Sequence, residues 1–366
     1  MNVRRAQINM ESSSVEINYL KKFAKWSLIL VSLSIILLFS MSVATAIGPM
    51  AIPFDRALKI ILHQIPPLDN FIPVQWKSVE ESVIVQLRLP RVLSAVIVGV
   101  ALSTAGVAFQ CLFRNPMADP YVLGVASGAG FGAALAMVLR LGFSLFGAAY
   151  AIPLMASVGA ISTVFLVYGI ARTGTELPTL RLLLAGIAVS SFFSALISVM
   201  MALAGEDLHA IYMWLLGGFS LSKWEYIYIA TPTVIIGFII LYAFARDFNI
   251  ILLGEEQAKQ LGVEVEKVKK TVLIVSSIIT AVAVSISGII GFIGLIVPHI
   301  MRILVGPDHR ILLPSSALTG ASILVLCDTV ARNIIRPLTL PTGIITTMLG
   351  CPFFIYLLKK TGKIRI

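Results

Sequence analysis

Charge is scarce in this chain. Of 366 residues, 28 are Lys or Arg and 18 are Asp or Glu, 13% in all. Acid is scarcest within the apolar runs, where every Asp and Glu falls at an end or in a connecting loop, Asp328 lying deepest. Ion-coupled carriers place carboxylates at mid-membrane, so an ion-coupled site finds poor support here. The four histidines, His63, His209, His299 and His309, form no HExxH zinc pair, and His299 beside Pro298 reads as a packed or interfacial residue. Three cysteines, Cys111, Cys327 and Cys351, have no framework spacing and read as small apolar residues rather than disulfide or metal partners. The phosphate cradle GxxxxGKS/T is missing, so this chain does not itself hold a nucleotide in that way. Ser127 has no histidine at a persuasive position, which argues against a membrane serine hydrolase. The reading is therefore of no catalytic residue, no metal site and no cofactor.

Apolar residues are what is abundant: they make up 58% of the chain. Windows free of charge run 26–54, 92–113, 120–139, 141–171, 182–205, 226–245, 271–301, 311–327 and 337–358. A hydrocarbon slab roughly 30 Å thick takes about 20 apolar residues per helix. So many long uncharged runs exclude a soluble α/β or all-β domain, and they lack the short alternation of an outer-membrane barrel. An all-α polytopic membrane protein is expected. Splitting 271–301 at the glycine-rich stretch 288–291 gives about ten spans. They are 26–48, 83–112, 121–139, 148–171, 180–204, 224–245, 268–288, 292–304, 311–331 and 341–358. Residues 1–25 form a polar tail, and 26–366 a single transmembrane domain with an outer loop at 50–82 and an inner loop at 246–267. Ala44-Thr45-Ala46 imitates a signal-peptidase site, but the tail is long and the apolar run exceeds a signal peptide's, so a retained first helix is expected.

The formal charge of +10 invites a nucleic-acid reading until its location is examined. With the N-terminus inside, the inner segments hold 19 Lys and Arg and the outer segments nine. The positive-inside rule then places both termini in the cytoplasm, and the basic balance becomes topology, with lipid as neighbour and no nucleic acid implied. Gly124, Gly128 and Gly132 partly imitate a dinucleotide motif, but no strand precedes them, and their spacing of four suits close helix packing.

Three further stretches carry candidate sites. In the inner loop, Leu253–Val263 reads LGEEQAKQLGV. Glu255 and Glu256 favour the start of a short helix and Gly262 its stop, with Ala258 and Leu261 three apart on one face. That helix either docks in a groove of a partner or is a solvated loop helix. On the outer side Arg88 and Arg91 flank Leu89-Pro90, while Arg332 and Arg336 sit four apart where the ninth span ends. Arginines there either anchor at headgroups or meet carboxylates on a partner. The inner turn Arg114–Pro120 holds two prolines and re-aims the chain, with a faint likeness to the Pro- and Asp-bearing turn Val305–Arg310.

Together these stretches resemble the permease subunits of the FecCD type, from ABC importers for iron–siderophores, haem and vitamin B12. The likeness is carried by RLPRVLSAVIVGVALSTAGVAFQCLFRNPMADPYVLGVASGAG (88–130), LRLLLAGIAVS (180–190), MWLLGGF (213–219), LGEEQAKQLGV (253–263), GFIGLIVPHIMRILVGPDHRILLP (291–314) and LPTGIITTMLGCPFFIYLLKK (340–360). The resemblance implies a vitamin B12 importer permease-like fold of ten spans, paired as a homodimer around a central pathway in the cell membrane. It implies two copies of a separate ABC ATPase subunit inside and a substrate-binding protein outside. By the same resemblance, Arg88, Arg91 and Arg332 would dock the binding protein, and Glu255, Glu256, Ala258, Leu261 and Gly262 would form the helix coupled to the ATPase. Asn115 and Met117 would belong to a cytoplasmic gate, with the loop 173–177 as a second gate segment. The implied cargo is an iron chelate such as a siderophore complex or haem, or vitamin B12, with an oxyanion such as molybdate further off. The tail 1–25 and Arg336 have no counterpart in that resemblance. The rival reading is a self-sufficient secondary transporter or channel.

Overall fold

The computed structural model describes residues 2–141, 148–174, 176–335 and 338–361. Arg336, Thr175 of the 173–177 loop, and the basic residues Lys363 and Arg365 lie outside the described residues. Regular structure among the described residues is helical, apart from two isolated antiparallel bridges, Thr173 with Glu176 and Ile335 with Leu338. Seven helices are long and apolar enough to cross a bilayer, and three shorter apolar helices accompany them, in keeping with ten spans.

The helices are α1 (Asn2–Ala46), α2 (Phe54–His63), α3 (Ser78–Leu112), α4 (Val125–Val138), α5 (Ala148–Ala171), α6 (Thr179–Leu203), α7 (Leu208–Leu215), α8 (Trp224–Ala243), α9 (Ala245–Ile251), α10 (Glu255–Gln260), α11 (Val265–Ser287), α12 (Ile293–Val305), α13 (His309–Asn333) and α14 (Thr342–Thr361). Inner and outer faces are named by the charge-based orientation. Three differences from expectation have local causes. α1 begins at Asn2 rather than near residue 26, because neither Gly nor Pro interrupts the chain before Gly48. α3 starts five residues early and passes through a π-helical turn at Val83–Arg88, which rotates the Arg88–Arg91 segment relative to what precedes it. The segment between α6 and α8 forms a short apolar helix, α7, where only a loop was expected. The break within 271–301 falls as anticipated: α11 stops at Ser287 and α12 starts at Ile293.

The centre of the bundle is α3, whose most apolar window is 83% buried, with α11 and α13 against it; α1 is peripheral, at 17%. Between helices in lipid there is little hydrophobic drive, so close contact depends on small residues that let backbones approach. The inner half of α3 is built that way, with Ala101, Ser103, Thr104, Ala105, Gly106 and Ala108 all buried. α4 meets α5 by the same device. A Cβ on Gly128 would strike the Thr163 side chain and the Gly159 carbonyl, and one on Gly132 the Met155 carbonyl. Gly124 differs from these two: it sits before the helix in a left-handed turn, φ 79°. On the periphery Leu28, Ile35 and Phe39 of α1 and Leu184, Ile187 and Phe192 of α6 are exposed, as suits side chains that face acyl chains.

Candidate functional site

On the outer face the three candidate arginines converge, but they do not all face outward. α1 ends at Ala46 with no basic residue in its last turn, so its terminal carbonyls need donors from elsewhere. Arg88, 4% exposed, supplies them: its guanidinium donates to the carbonyls of Thr45, Ala46 and Met50. Arg332, also 4% exposed, donates to the Ala44 carbonyl at 2.9 Å. Placing cations at a helix C-terminus is favourable on both hydrogen-bond and dipole grounds. In this structure Arg88 and Arg332 are turned inward onto the carbonyls at the end of α1.

Asp328 is the carboxylate that pairs with the cluster, to Arg91 and Arg332, and it is buried. Arg91 approaches it in a fork, Nε at 3.0 Å from Oδ2 and Nη2 at 2.9 Å from Oδ1. Arg332 Nε lies 3.1 Å from Oδ2, close enough for charge contact though off the line of a directed hydrogen bond. Thr342 Oγ1 donates to Oδ1 at 2.9 Å, which ties the start of α14 to the cluster. Three guanidinium groups against one carboxylate leave the site electropositive, with Arg91 the member nearest the surface. The deepest acid in the spans is thus held by arginines and is not an open ion site.

Beside Arg91 lies a cavity of about 900 Å³, reached through Ser220, whose hydroxyl accepts from Arg91 Nη1 at 3.5 Å. Its walls are largely apolar, including Met213, Trp214 and Tyr226, and its rim carries Arg140, Asp207 and Lys223. Gly217, Gly218 and Ser287 also line it; Gly218 N–H donates to the Ser287 carbonyl at 2.7 Å and Gly343 N–H to the Gly217 carbonyl at 3.1 Å, which ties three chain segments together there.

On the inner face α10 forms as the two glutamates and Gly262 foretold; Gly262 adopts φ 85°, in the left-handed region that ends the helix. Its faces are arranged differently from expectation. Ala258 is fully buried against the chain's own core, whereas Leu261 is 63% exposed, so the two do not share an outward face. The exposed apolar residues of this projection are Leu252, Leu253 and Leu261, alongside exposed Glu256. Leu253, just before the helix, carries no helical-spacing signal in the sequence, and only the fold sets it outward. Glu255 turns back instead, accepting from Lys269 Nζ at 2.7 Å.

The inner turn after α3 is shaped by its own side chains. The Asn115 carbonyl oxygen of the side chain accepts the Met117 N–H at 2.9 Å, Arg114 takes φ 47°, and Asp119 accepts the Tyr121 N–H at 2.8 Å. Burial pushes the Asp119 carboxyl up to about 6, against the lowering effect of that N–H. The turn before α13 repeats the device: Asp308 accepts the Arg310 N–H at 3.2 Å and caps the helix, giving substance to the faint sequence likeness. Arg310, chiefly, holds the Asp308 carboxyl well below the usual range, with Asn249 and Lys22 adding to the effect.

Residues 33–360 match the FecCD transport family. The chain belongs to that family. This FecCD-family chain is 40% identical over 330 residues to the cobalamin import system permease protein of Halobacterium salinarum, covering 86% of this chain and 87% of that one. It is 38% identical over 284 residues to the hemin transport system permease protein of Yersinia pestis, covering 76% and 84%. A solved structure, described as an inward-facing conformation of a metal-chelate type ABC transporter, superposes with a TM-score of 0.78 at 33% identity and covers 91% of this chain and 99% of its own. The FecCD-family chain is thus a permease subunit of an ABC importer, with the fold expected of one.

Within this permease the structure sets Arg91 and Arg332 on Asp328 at one face, with Arg88 sharing the end of α1 with Arg332. It sets Glu255, Glu256, Ala258, Leu261 and Gly262 on one projection at the other. Asn115 and Met117 share a single tight turn. Asp328 and Lys269 organise their surroundings yet were passed over as sites, since a lone acid or lysine at a helix end carries no sequence signal of its partners.

Proposed function

We propose that this permease works as a homodimer in the plasma membrane, termini in the cytoplasm, and imports an iron chelate, haem or a corrinoid. ATP is hydrolysed on two copies of a separate ABC ATPase that dock at α10. A substrate-binding protein delivers cargo at the outer face, where Arg91 and the field of the arginine cluster meet acidic groups. Arg88 and Arg332 act there from below, through their charge, unless docking draws them out. The outer cavity serves as a vestibule of suitable size and apolarity for a bulky organic chelate. Asn115 and Met117 form the turn that closes the inner side, with the 173–177 loop near it. Alternating access follows if bound nucleotide favours one arrangement of these two faces over the other.

The observation that carries this reading is the inner projection. Leu253 and Leu261 are each more than three-fifths exposed on a charged, polar loop helix that stands beyond the last apolar turn of α8 and α9. Leucines left outward on a polar element fit a partner's groove rather than acyl chains. The test is co-purification with the ATPase from detergent or nanodiscs. Leu261→Glu should abolish recovery of the ATPase while the permease stays monodisperse; undiminished recovery would remove Leu261 from the interface.

A further inference from the structure

Lys269, near the start of α11, is buried at 6% exposure. Its ammonium lies 2.7 Å from Glu255 Oε2 in α10 and 3.3 Å from Glu266 Oε1 one turn back on its own helix. The other oxygen of Glu266 accepts the Leu177 backbone N–H at 3.1 Å. Leu177 is itself buried, and Pro178 next to it holds the N-cap position of α6. One buried ammonium therefore joins three segments distant in sequence: the projecting helix, the base of α11 and the start of α6. The ammonium depends on the two carboxylates, because a buried charge left alone is far costlier than the intact set, whereas Glu255 and Glu266 remain 28% and 29% exposed. Lys267, two residues away, shows what an unengaged lysine looks like here. Its contact with Glu264 is 3.6 Å long, and both side chains are about two-thirds exposed or more.

We propose that Lys269 is a positioning residue that yokes α10 to the base of α6, so that displacement of α10 by a docked ATPase carries the start of α6 with it. The proposal rests on the reading of α10 as the ATPase-docking helix. α10 is too short to transmit motion by its own stiffness. It consists of six residues, and Leu261 already leaves the helical run. The route through α11 alone would move α11, a helix packed against the central α3, and leave α6 behind. The Glu266 bond to the Leu177 N–H supplies the branch. The branch reaches α6, which packs on α4 and α5 through Leu182, Ala185 and Val189 and leaves Leu180, Leu184 and Ile187 exposed, so any shift of its base is passed to that packed face.

The experiment uses the full chain assembled with its ATPase in nanodiscs, with the three native cysteines replaced by alanine. Spin labels are placed at Gln260→Cys on α10 and Leu180→Cys at the base of α6, both exposed positions. The distance between them is measured without nucleotide and with ADP–vanadate trapped on the ATPase, alongside the ratio of binding-protein-stimulated to basal ATP hydrolysis. The yoke requires an unchanged distance in the wild type. Lys269→Met should make that distance nucleotide-dependent and lower the ratio at least about five-fold, while the ATPase stays bound. Lys267→Gln should alter neither. Should Lys269→Met fail to fold, its combination with Glu255→Gln and Glu266→Gln removes all three charges together and strands none. A wild-type distance that changes with nucleotide, or a Lys269 variant with wild-type distance and ratio, would overturn the proposal. A wild-type chain that retains no ATPase in the preceding pull-down strikes the docking reading itself, a result visible before any Lys269 variant is made.

Discussion

Asp328→Asn is the substitution with the largest consequence that the outer cluster foretells. The carboxylate is fork-paired with Arg91, in charge contact with Arg332 and hydrogen-bonded by Thr342, while Arg88 lies close enough to be felt by Arg332. Asn has the same shape and keeps one acceptor for Thr342 or Arg91, so packing is preserved and only the charge is lost. At an effective dielectric constant of about 20, one charge pair at about 4 Å is worth roughly 4 kcal/mol before desolvation is counted. Removing one member of a buried pair costs about 3–5 kcal/mol. With one acceptor retained, the lower end applies, about 3 kcal/mol. For a chain longer than 250 residues, 1 kcal/mol shifts Tm by roughly 2 °C, so a fall on the order of 5 °C is expected. A thiol-reactive fluorophore reads it directly, since Cys111 and Cys327 are free and buried and become reactive on unfolding. Adding Arg91→Gln to Asp328→Asn removes the fork-paired guanidinium that the first change strands, and should recover part of the loss. Asp328→Asn melting with the wild type, or a double variant no more stable than the single one, would refute the reasoning.

Arg91→Glu should weaken capture of the binding protein at least about ten-fold at low salt, with the difference narrowing as salt rises; equal affinities at low salt would remove Arg91 from that interface. Asp119, held near 6 against an ordinary 3.8, binds its proton more tightly when folded, so it favours the fold most at low pH and loses that contribution as pH rises from about 4 to about 6. Asp119→Asn, which retains an acceptor for the Tyr121 N–H, should flatten the stability profile across that window and melt higher at pH 7 by up to about 3 kcal/mol; an unchanged profile would dissociate the titration from Asp119. Gly128→Val should fail to give folded protein, measured as monodisperse material after size exclusion, whereas Gly169→Ala, with open space around it, should not.

The spans were legible because length and charge placement act one residue at a time: a run long enough and bare enough must cross, and its flanking arginines say which way. The helix α10 was legible for a similar reason, since its glutamates and Gly262 act within one turn. What escaped depended on partners distant in the chain. Arg88 and Arg332 could be recognised as outer arginines, but nothing in the sequence near them shows that α1 ends with open carbonyls in their reach. Ala258 and Leu261 are three apart on any helical wheel, yet only the packing of α10 against the core decides that one is buried and the other offered outward. Lys269 reads as one of four lysines in a short stretch, Lys259, Lys267, Lys269 and Lys270, and only its two carboxylate neighbours set it apart.

The capping of α1 has a bearing on how the protein is made. α1 is made before α3 and α13, and acyl chains suffice to hold it, since little of it is covered by protein. Its outer carbonyls are met by Arg88 from about 40 residues downstream, and by Arg332 from 285 to 288 residues downstream. At translation rates of about 5–20 residues per second, the second donor arrives roughly 15 to 60 seconds after the helix it completes. α1 and α13 are therefore joined only once both have been made, and a nascent chain halted before α13 carries α1 with the Arg88 cap alone.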